Sequence, residues 1–517
     1  MSQSSEKSER IAKNTLLLYL RMLFLMLVTL YTSRIILNVL GVEDYGIYNV
    51  VGGVVAMFSV ISGSLSAAIS RFITYELGKG DKRRLVKIFS TSVNIQFGLS
   101  LIIVLLAETI GLWFLNYKMN IPDERMTAAN WVLQFSILTF IVNLISVPYN
   151  ACIIAHERMS AFAYISILEA ISKLGIAFFI KISPIDRLIF YSLLICFVSI
   201  LIRFTYSWYC KKNFSECHYH MILNKSLLKE MSSFASWNFI GSAAGILRTQ
   251  GINVVLNLFF TTAVNAARGI SVQVNTAVTS FVNNFMTALN PQITKSYACG
   301  DFIYMNKLIY QGSRLSFYLL LFLSLPIIIE TETILTLWLN IVPKHTIIFV
   351  QLILIFAMCE AISGPLITAM LATGDIKKYQ IIVGGTNLLN LPISYFLFRF
   401  YDFTDFPEIA LVVAIILSVI CLFQRLWLLK KMINLDYISF LTQVILNVAL
   451  VALVSFCIPF FVHLLLPNTT LLSVGNIINS FICSAISILY VGCKKKERQF
   501  VFTKIKGILS IIKKHGK

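Results

Sequence analysis

The chain has 517 residues, of which 57% are hydrophobic and only 13% charged, with a formal net charge of +19. A soluble protein carries about twice that charged fraction, so the composition excludes a soluble globular fold and predicts an all-α polytopic membrane protein. Nucleic acid is excluded as a partner, because the basic residues collect in alternate polar breaks and in the tail, where membrane topology demands them.

Fourteen apolar runs are long enough to span a bilayer. They lie near 13–40, 45–75, 88–115, 127–150, 160–181, 186–210, 232–260, 263–294, 307–331, 346–371, 379–401, 407–430, 440–466 and 472–493. The first is too long for a signal-peptide core and no small-residue cleavage site follows it, so it reads as a retained span. It carries Arg21 and Arg34 well inside its ends, and a short acidic turn, Gly41 to Gly46, sends the chain back. The breaks then alternate in charge. One set holds Lys79, Lys82, Arg83, Arg84 and Lys87; Arg158; Lys211, Lys212, Lys225 and Lys229; Lys295 and Lys307; Lys377 and Lys378; Lys430 and Lys431. The other holds Glu43, Asp44, Asp123, Glu124, Asp402, Asp405 and Glu408. The positive-inside rule makes the first set cytoplasmic and puts both termini inside, as an even span count requires. The breaks leave no room for a nucleotide-binding domain, and no P-loop occurs, so no ATP hydrolysis is expected. Ten cysteines are scattered along the chain. Cys210, Cys217, His218 and His220 share one break but match no zinc spacing, and read as a reduced, solvated loop. No cofactor and no metal are expected.

A shift of about 220 residues overlays the chain on itself. Ser70-Arg71-Phe72-Ile73-Thr74 with Gly80-Asp81 falls on Asn290-Pro291-Gln292-Ile293-Thr294 with Gly300-Asp301. Lys87 falls on Lys307, the turn 41–46 on 261–266, and Pro148 close to Pro365. The expected organisation is an N-terminal lobe over 1–228 (six spans), a repeated C-terminal lobe over 229–435 (six more), two extra spans over 436–493, and a basic amphipathic tail over 494–517 lying on the inner leaflet. Prolines 148, 326, 365, 392 and 459 fall inside spans.

The stretch Ser33-Arg34 followed by Leu40-Gly41-Val42-Glu43-Asp44-Tyr45-Gly46-Ile47-Tyr48, together with Arg71-Phe72 leading into Gly80-Asp81, resembles the polysaccharide-export and lipid-linked oligosaccharide flippases of the MOP superfamily. The resemblance covers the whole chain. It implies a MATE-like bundle of two lobes in a bacterial inner membrane. It also implies transport of an undecaprenyl-diphosphate-linked glycan, such as an O-antigen repeat unit, by alternating access. A glycan polymerase and a chain-length regulator are then partners of the same pathway. In the lipid II branch, arginines of the first, second and eighth spans are said to hold the diphosphate. Arg21, Arg34, Arg71 and Arg268 occupy those spans here, although the surrounding sequence departs from that branch.

Polar residues inside the spans point the same way. From Arg268, steps to Asn275, Thr279, Asn283 and Asn290 stay within about 60° of one line on an ideal helix. Such a stripe faces protein or water, not lipid. Gln250, Asn253 and Asn257 form a similar stripe beside Arg248, which lies near mid-bilayer. Guanidinium groups stay protonated and bind phosphate bidentately, so Arg34, Arg248, Arg268, Arg21, Arg71, Asn253, Asn257 and Asn275 are the candidate cavity residues. Each arginine near a span end has snorkelling to the headgroups as its alternative. Arg21 and Arg34 are about 20 Å apart in height and about 140° apart in direction on an ideal helix, so they cannot serve one small site unless the span bends. Glu360 is a candidate for ion coupling, while Glu169 and Lys173, spaced i, i+4, are expected to pair with each other. Two other functions fit the same architecture. A cation-coupled multidrug exporter wants a cavity led by carboxylates. A membrane-embedded glycan polymerase or glycosyltransferase wants a sizeable outer loop. The chain has neither.

Overall fold

The computed structural model describes residues 3–499 apart from 57–58, 119–120, 223, 261, 340–341, 401–404, 466–469 and 496, and no strand occurs among the described residues. The helices are α1 (Gln3–Ala56), α2 (Ser59–Lys79), α3 (Lys82–Leu106), α4 (Leu112–Lys118), α5 (Asp123–Ala155), α6 (Met159–Phe179), α7 (Arg187–Asn213), α8 (Lys225–Phe259), α9 (Thr262–Ala298) and α10 (Phe302–Ile329). They continue with α11 (Thr331–Leu339), α12 (Thr346–Thr373), α13 (Lys377–Tyr379), α14 (Gly385–Leu388), α15 (Asn390–Phe400), α16 (Ile409–Ile433), α17 (Tyr437–Phe440), α18 (Asn447–Leu465) and α19 (Thr470–Ser487). The described residues of each expected span are mainly helical, and nine helical segments among the described residues are long and apolar enough to cross a membrane. Lipid offers no partner for a free N–H or C=O, so continuous helix is what such runs must form. The protein is a multi-pass membrane protein.

The turn expected over Gly41 to Gly46 is tighter than the sequence suggested. The segment α1 is two helices meeting at a kink, and Gly41, its one non-helical residue, forms that kink at φ 82° and ψ 169°. That backbone region is essentially confined to glycine. The expected Gly80-Asp81 break forms as read: Gly80 closes α2 with a positive φ of 78°, and the Asp81 carboxylate accepts from the Arg84 N–H to start α3. The solvated reading of the cysteine loop holds for His218 and His220, which are exposed, and is corrected for its cysteines. Cys210 and Cys217 are buried with Cys152, and Cys210 donates to the Tyr149 carbonyl. The loop folds back because Glu216 hydrogen-bonds His156, whose ring stacks on Phe214. Among the described residues no His, Cys, Asp and Glu cluster is arranged to hold a metal. The amphipathic helix expected over 494–517 lies mostly outside the described residues.

By contact the chain sorts into two compact units. Unit 1 comprises Met1–Ala243, Thr287–Asp301 and Leu371–Gln380; unit 2 comprises Ala244–Met286, Phe302–Met370 and Ile381–Lys517. These are groupings in space, whereas the expected lobes are groupings in chain order. In unit 1, a core of Ile47, Val51, Ala129, Val132, Leu133 and Leu188 joins α1, α5 and α7. Two breaks of the acidic set, at Asp44 and beside Asp123-Glu124, meet there with the break at Asp186. Arg125 donates from Nε to Asp44 at 2.8 Å and from Nη1 to Asp186 at 2.6 Å, while Asp186 also caps α7. Burial raises the pKa of Asp186, but the hydrogen bonds from Arg125 and from the Leu188 and Ile189 N–H groups, with the charge of Arg125, together outweigh it and hold the carboxyl below the ordinary range. The breaks assigned inside meet at the opposite ends of these helices. Glu157, buried with a left-handed φ of 58°, accepts from Lys295 Nζ at 2.6 Å and from Gln292 Nε2 at 2.5 Å. In unit 2, α10 is the most enclosed of the nine segments long and apolar enough to cross a membrane among the described residues, and packs against α18 and α19.

Candidate functional site

Unit 1 holds a cavity of about 460 Å³ lined by α1, α6 and α7, including Arg21, Thr29, Thr32, Tyr48, Glu169 and Lys173. Arg21 therefore faces protein. Its guanidinium lies 4.4 Å from the Phe162 ring centroid, and among the described residues its Nε has no hydrogen-bond partner. Lys173 donates to Glu169 at 2.6 Å, the i, i+4 pair expected from the sequence. The cavity thus presents one balanced ion pair and one cation that packs on an aromatic ring.

Arg71 lies in a second unit 1 pocket of about 570 Å³, at the end of α2. Its guanidinium sits 4.8 Å from the centroids of Phe72 and Tyr75 and 5.5 Å from that of Phe234, and Nη2 donates to the Ala372 carbonyl at 3.0 Å. Lys79, Arg84 and Lys377 share the pocket with Glu76, Glu230 and Asp375, and Arg84 bridges Glu76 at 3.1 Å and Glu230 at 3.8 Å. Charge here is nearly balanced, and aromatic faces dominate the rest of the wall.

In unit 2, Arg248 on α8 meets Glu360 on α12. Arg248 Nη1 donates to Asn387 at 2.7 Å and to Glu360 at 3.4 Å, and the guanidinium lies over Phe356. Ser418 donates to the same Glu360 oxygen at 2.6 Å. Arg425, 2% exposed, donates to Ser363 at 2.9 Å and adds a second positive charge facing Glu360. Glu360 is thus a carboxylate already held by a guanidinium and a hydroxyl. Sequence reasoning missed Arg425 and Asn387. Arg425 stands five residues before Lys430-Lys431 and so reads as part of a basic helix end.

Arg268 on α9 is the most isolated of the candidates. It is 5% exposed, and among the described residues its Nε and Nη1 have no hydrogen-bond partner. Two turns on, the Asn275 side-chain oxygen is also buried without one. Below it, Thr279 donates back to the Asn275 carbonyl at 2.7 Å. Burying a guanidinium with two of its nitrogens unpartnered among the described residues is costly in a membrane. The side chains of Arg34, Asn253 and Asn257 lie outside the described residues.

The described residues thus form a helical membrane fold with cations set into its interior. Residues 11–297, more than half of the chain, match the family described as polysaccharide biosynthesis protein, and the chain belongs to that family. The fold is similar to a MATE crystal structure in the bent conformation, with TM-score 0.72 and 10% identity over 82% of this chain and 96% of that one. It is also similar to an outward-facing multidrug resistance MATE family transporter of the MOP superfamily, with TM-score 0.71 and 11% identity over 83% and 97%. A third similar structure is a MOP superfamily transporter from Pyrococcus furiosus described as having reverse polarity of its binding pocket, with TM-score 0.68 and 10% identity over 84% and 96%. No curated protein matches the chain.

Proposed function

We propose that this protein flips a polyprenyl-diphosphate-linked oligosaccharide from the cytoplasmic to the outer face of a bacterial inner membrane. The observation that carries the reading is Arg268, a deeply buried guanidinium whose Nε and Nη1 lack partners among the described residues. A diphosphate supplies what lipid cannot, two adjacent anionic groups able to accept bidentately from arginine. Family membership supports a saccharide as the cargo. The two repeated six-span lobes would rock about the bound substrate, with both termini inside. A contact between repeat counterparts supports that arrangement: at the 220-residue shift Gly78 corresponds to Ala298, and a Cβ built on Gly78 lies 2.7 Å from the Ala298 Cβ. A residue meeting its own counterpart is the signature of a two-fold relation.

The multidrug-exporter reading needs a carboxylate free to take a cation. Glu360 is engaged by Arg248 and Ser418, and Glu169 by Lys173. The test is Arg268→Ala beside Arg268→Lys, scored by surface glycan and by the lipid-linked precursor. Arg268→Ala should cut surface glycan at least about tenfold while complete repeat units accumulate on the inner face, and Arg268→Lys should retain part of the activity. Full glycan export by an inserted Arg268→Ala protein would overturn the diphosphate role.

A further inference from the structure

The pocket at the end of α2 holds more than a snorkelling arginine needs. Its volume of about 570 Å³ falls within the roughly 300–1,000 Å³ of small-molecule sites. Every wall belongs to unit 1: the end of α2, the start of α3, the first part of α8 and residues 373–377.

Two of its polar groups are buried with an atom unpartnered among the described residues. Glu76 is 2% exposed; its Oε1 meets Arg84 Nε at 3.1 Å, and its Oε2 has no hydrogen-bond partner. Arg71 Nη2 donates to the Ala372 carbonyl at 3.0 Å, while its Nε has no partner. The backbone is shaped around that guanidinium. Gly374 has a left-handed φ of 82°, and a Cβ there would lie 2.5 Å from Arg71 Nη2. A buried donor and a buried acceptor left unpaired are each costly, so a ligand that pairs both gains from both.

Charge says what that ligand is not. Four lining cations stand against three lining carboxylates, so a multiply charged anion meets repulsion as well as attraction. A neutral ligand meets neither. The rest of the wall is aromatic. Phe72, Tyr75 and Phe234 surround Arg71, and the Trp237 indole has the Lys377 ammonium 5.5 Å from its ring centroid. Ring faces that attract cations attract polarised C–H groups for the same reason, their negative quadrupole. Lys377 is exposed and returns to water readily. An aromatic wall beside one buried acceptor and one buried donor suits a pyranose ring, which has an apolar C–H face and a rim of hydroxyls that both donate and accept. We infer that this pocket binds one sugar residue of the glycan, a neutral hexopyranose, at the end assigned inside by charge. The C–H face packs on Trp237, one hydroxyl donates to Glu76 Oε2, and another accepts from Arg71 Nε. Arg71 is then a ligand of the sugar and not of the diphosphate. The use of the site in transport rests on the export reading; the binding itself does not.

The test uses the full-length protein in nanodiscs, free of sugar-based detergent. Saturation-transfer NMR is read with glucose, galactose, N-acetylglucosamine and N-acetylgalactosamine as probes. At least one of the four should bind, and inorganic diphosphate should not displace it. Below saturation, Trp237→Leu and Glu76→Gln should each lower the signal about tenfold, the fold-change of one aromatic contact or one hydrogen bond to a charged group. Arg268→Ala, which is not among the lining residues, should leave the signal unchanged. In cells, the two pocket variants should lower surface glycan at equal insertion while the lipid-linked precursor accumulates. No signal from any of the four sugars, or an unchanged signal in both pocket variants, would overturn the site. Displacement by diphosphate would make it an anion site and overturn the sugar assignment. Full export by variants that have lost hexose binding would overturn its link to the cargo. Full export by Arg268→Ala with hexose binding intact would overturn the diphosphate role of Arg268 instead and support this site as a separate one.

Discussion

Arg248 and Glu360 stand 112 residues apart and donate and accept across 3.4 Å. Each was visible in the sequence as a charge inside an apolar run. Their pairing was not, because it depends on which faces of α8 and α12 meet, and one sequence carries no record of that. Arg425 was hidden for a simpler reason, its nearness to a basic helix end. Removing one member of such a pair strands the other in a low-dielectric interior, while replacing both with apolar residues removes the desolvation penalty as well as the attraction. Glu360→Leu should therefore lower thermal stability in detergent by about 3 kcal/mol. Glu360→Leu with Arg248→Met should recover most of that loss, short of all of it because Arg425 still faces the vacated position. Transport should fail in both. Export equal to wild type in the stable double variant would show that the pair is scaffolding alone.

Among the elements, α2 and the end of α9 are where the repeat signal and the packing coincide. The matching Gly-Asp pairs stop their helices in the same way, Gly80 and Gly300 both adopting left-handed φ. The close approach of those helices could not be read from motif spacing, since it rests on the missing side chain of Gly78. A Cβ there would lie 2.7 Å from the Ala298 Cβ and 3.1 Å from the Lys295 carbonyl oxygen. Gly78→Ala should cost about 1–3 kcal/mol, the usual range for overpacking a well-filled contact, measured as a loss of thermal stability. Adding Ala298→Gly removes the worst of the collision, so the double variant should regain part of the loss; the Lys295 backbone keeps the rescue from being complete. No difference between single and double variants would mean that these helices do not sit this close in the membrane. The same limit on reading applies at Gly41. The acidic stretch 41–46 reads as a turn, yet only Gly41 leaves the helix, and Asp44 accepts from Arg125 at 2.8 Å.

For the whole molecule, the charge pattern is the part of the sequence that carries the orientation. It sorted the breaks into two sets without any knowledge of contacts. The structure joins each set to neighbours outside it: Asp44 with Arg125 and Asp186 at one end of the unit 1 helices, and Lys295 with Glu157, or Arg84 with Glu76 and Glu230, at the other. Contacts identify the two ends but carry no sign, so which end faces the cytoplasm rests on the excess of lysine and arginine alone. That assignment can be reversed by experiment, and the direction of transport turns with it. Glu124 and Lys211 are exposed residues from opposite sets. In a background without the native cysteines, Glu124→Cys should react with a membrane-impermeant maleimide in intact spheroplasts. Lys211→Cys should react only after the membrane is opened. The inverse pattern would place both termini outside, leave the acidic turns facing the site of precursor synthesis, and make export by this protein untenable.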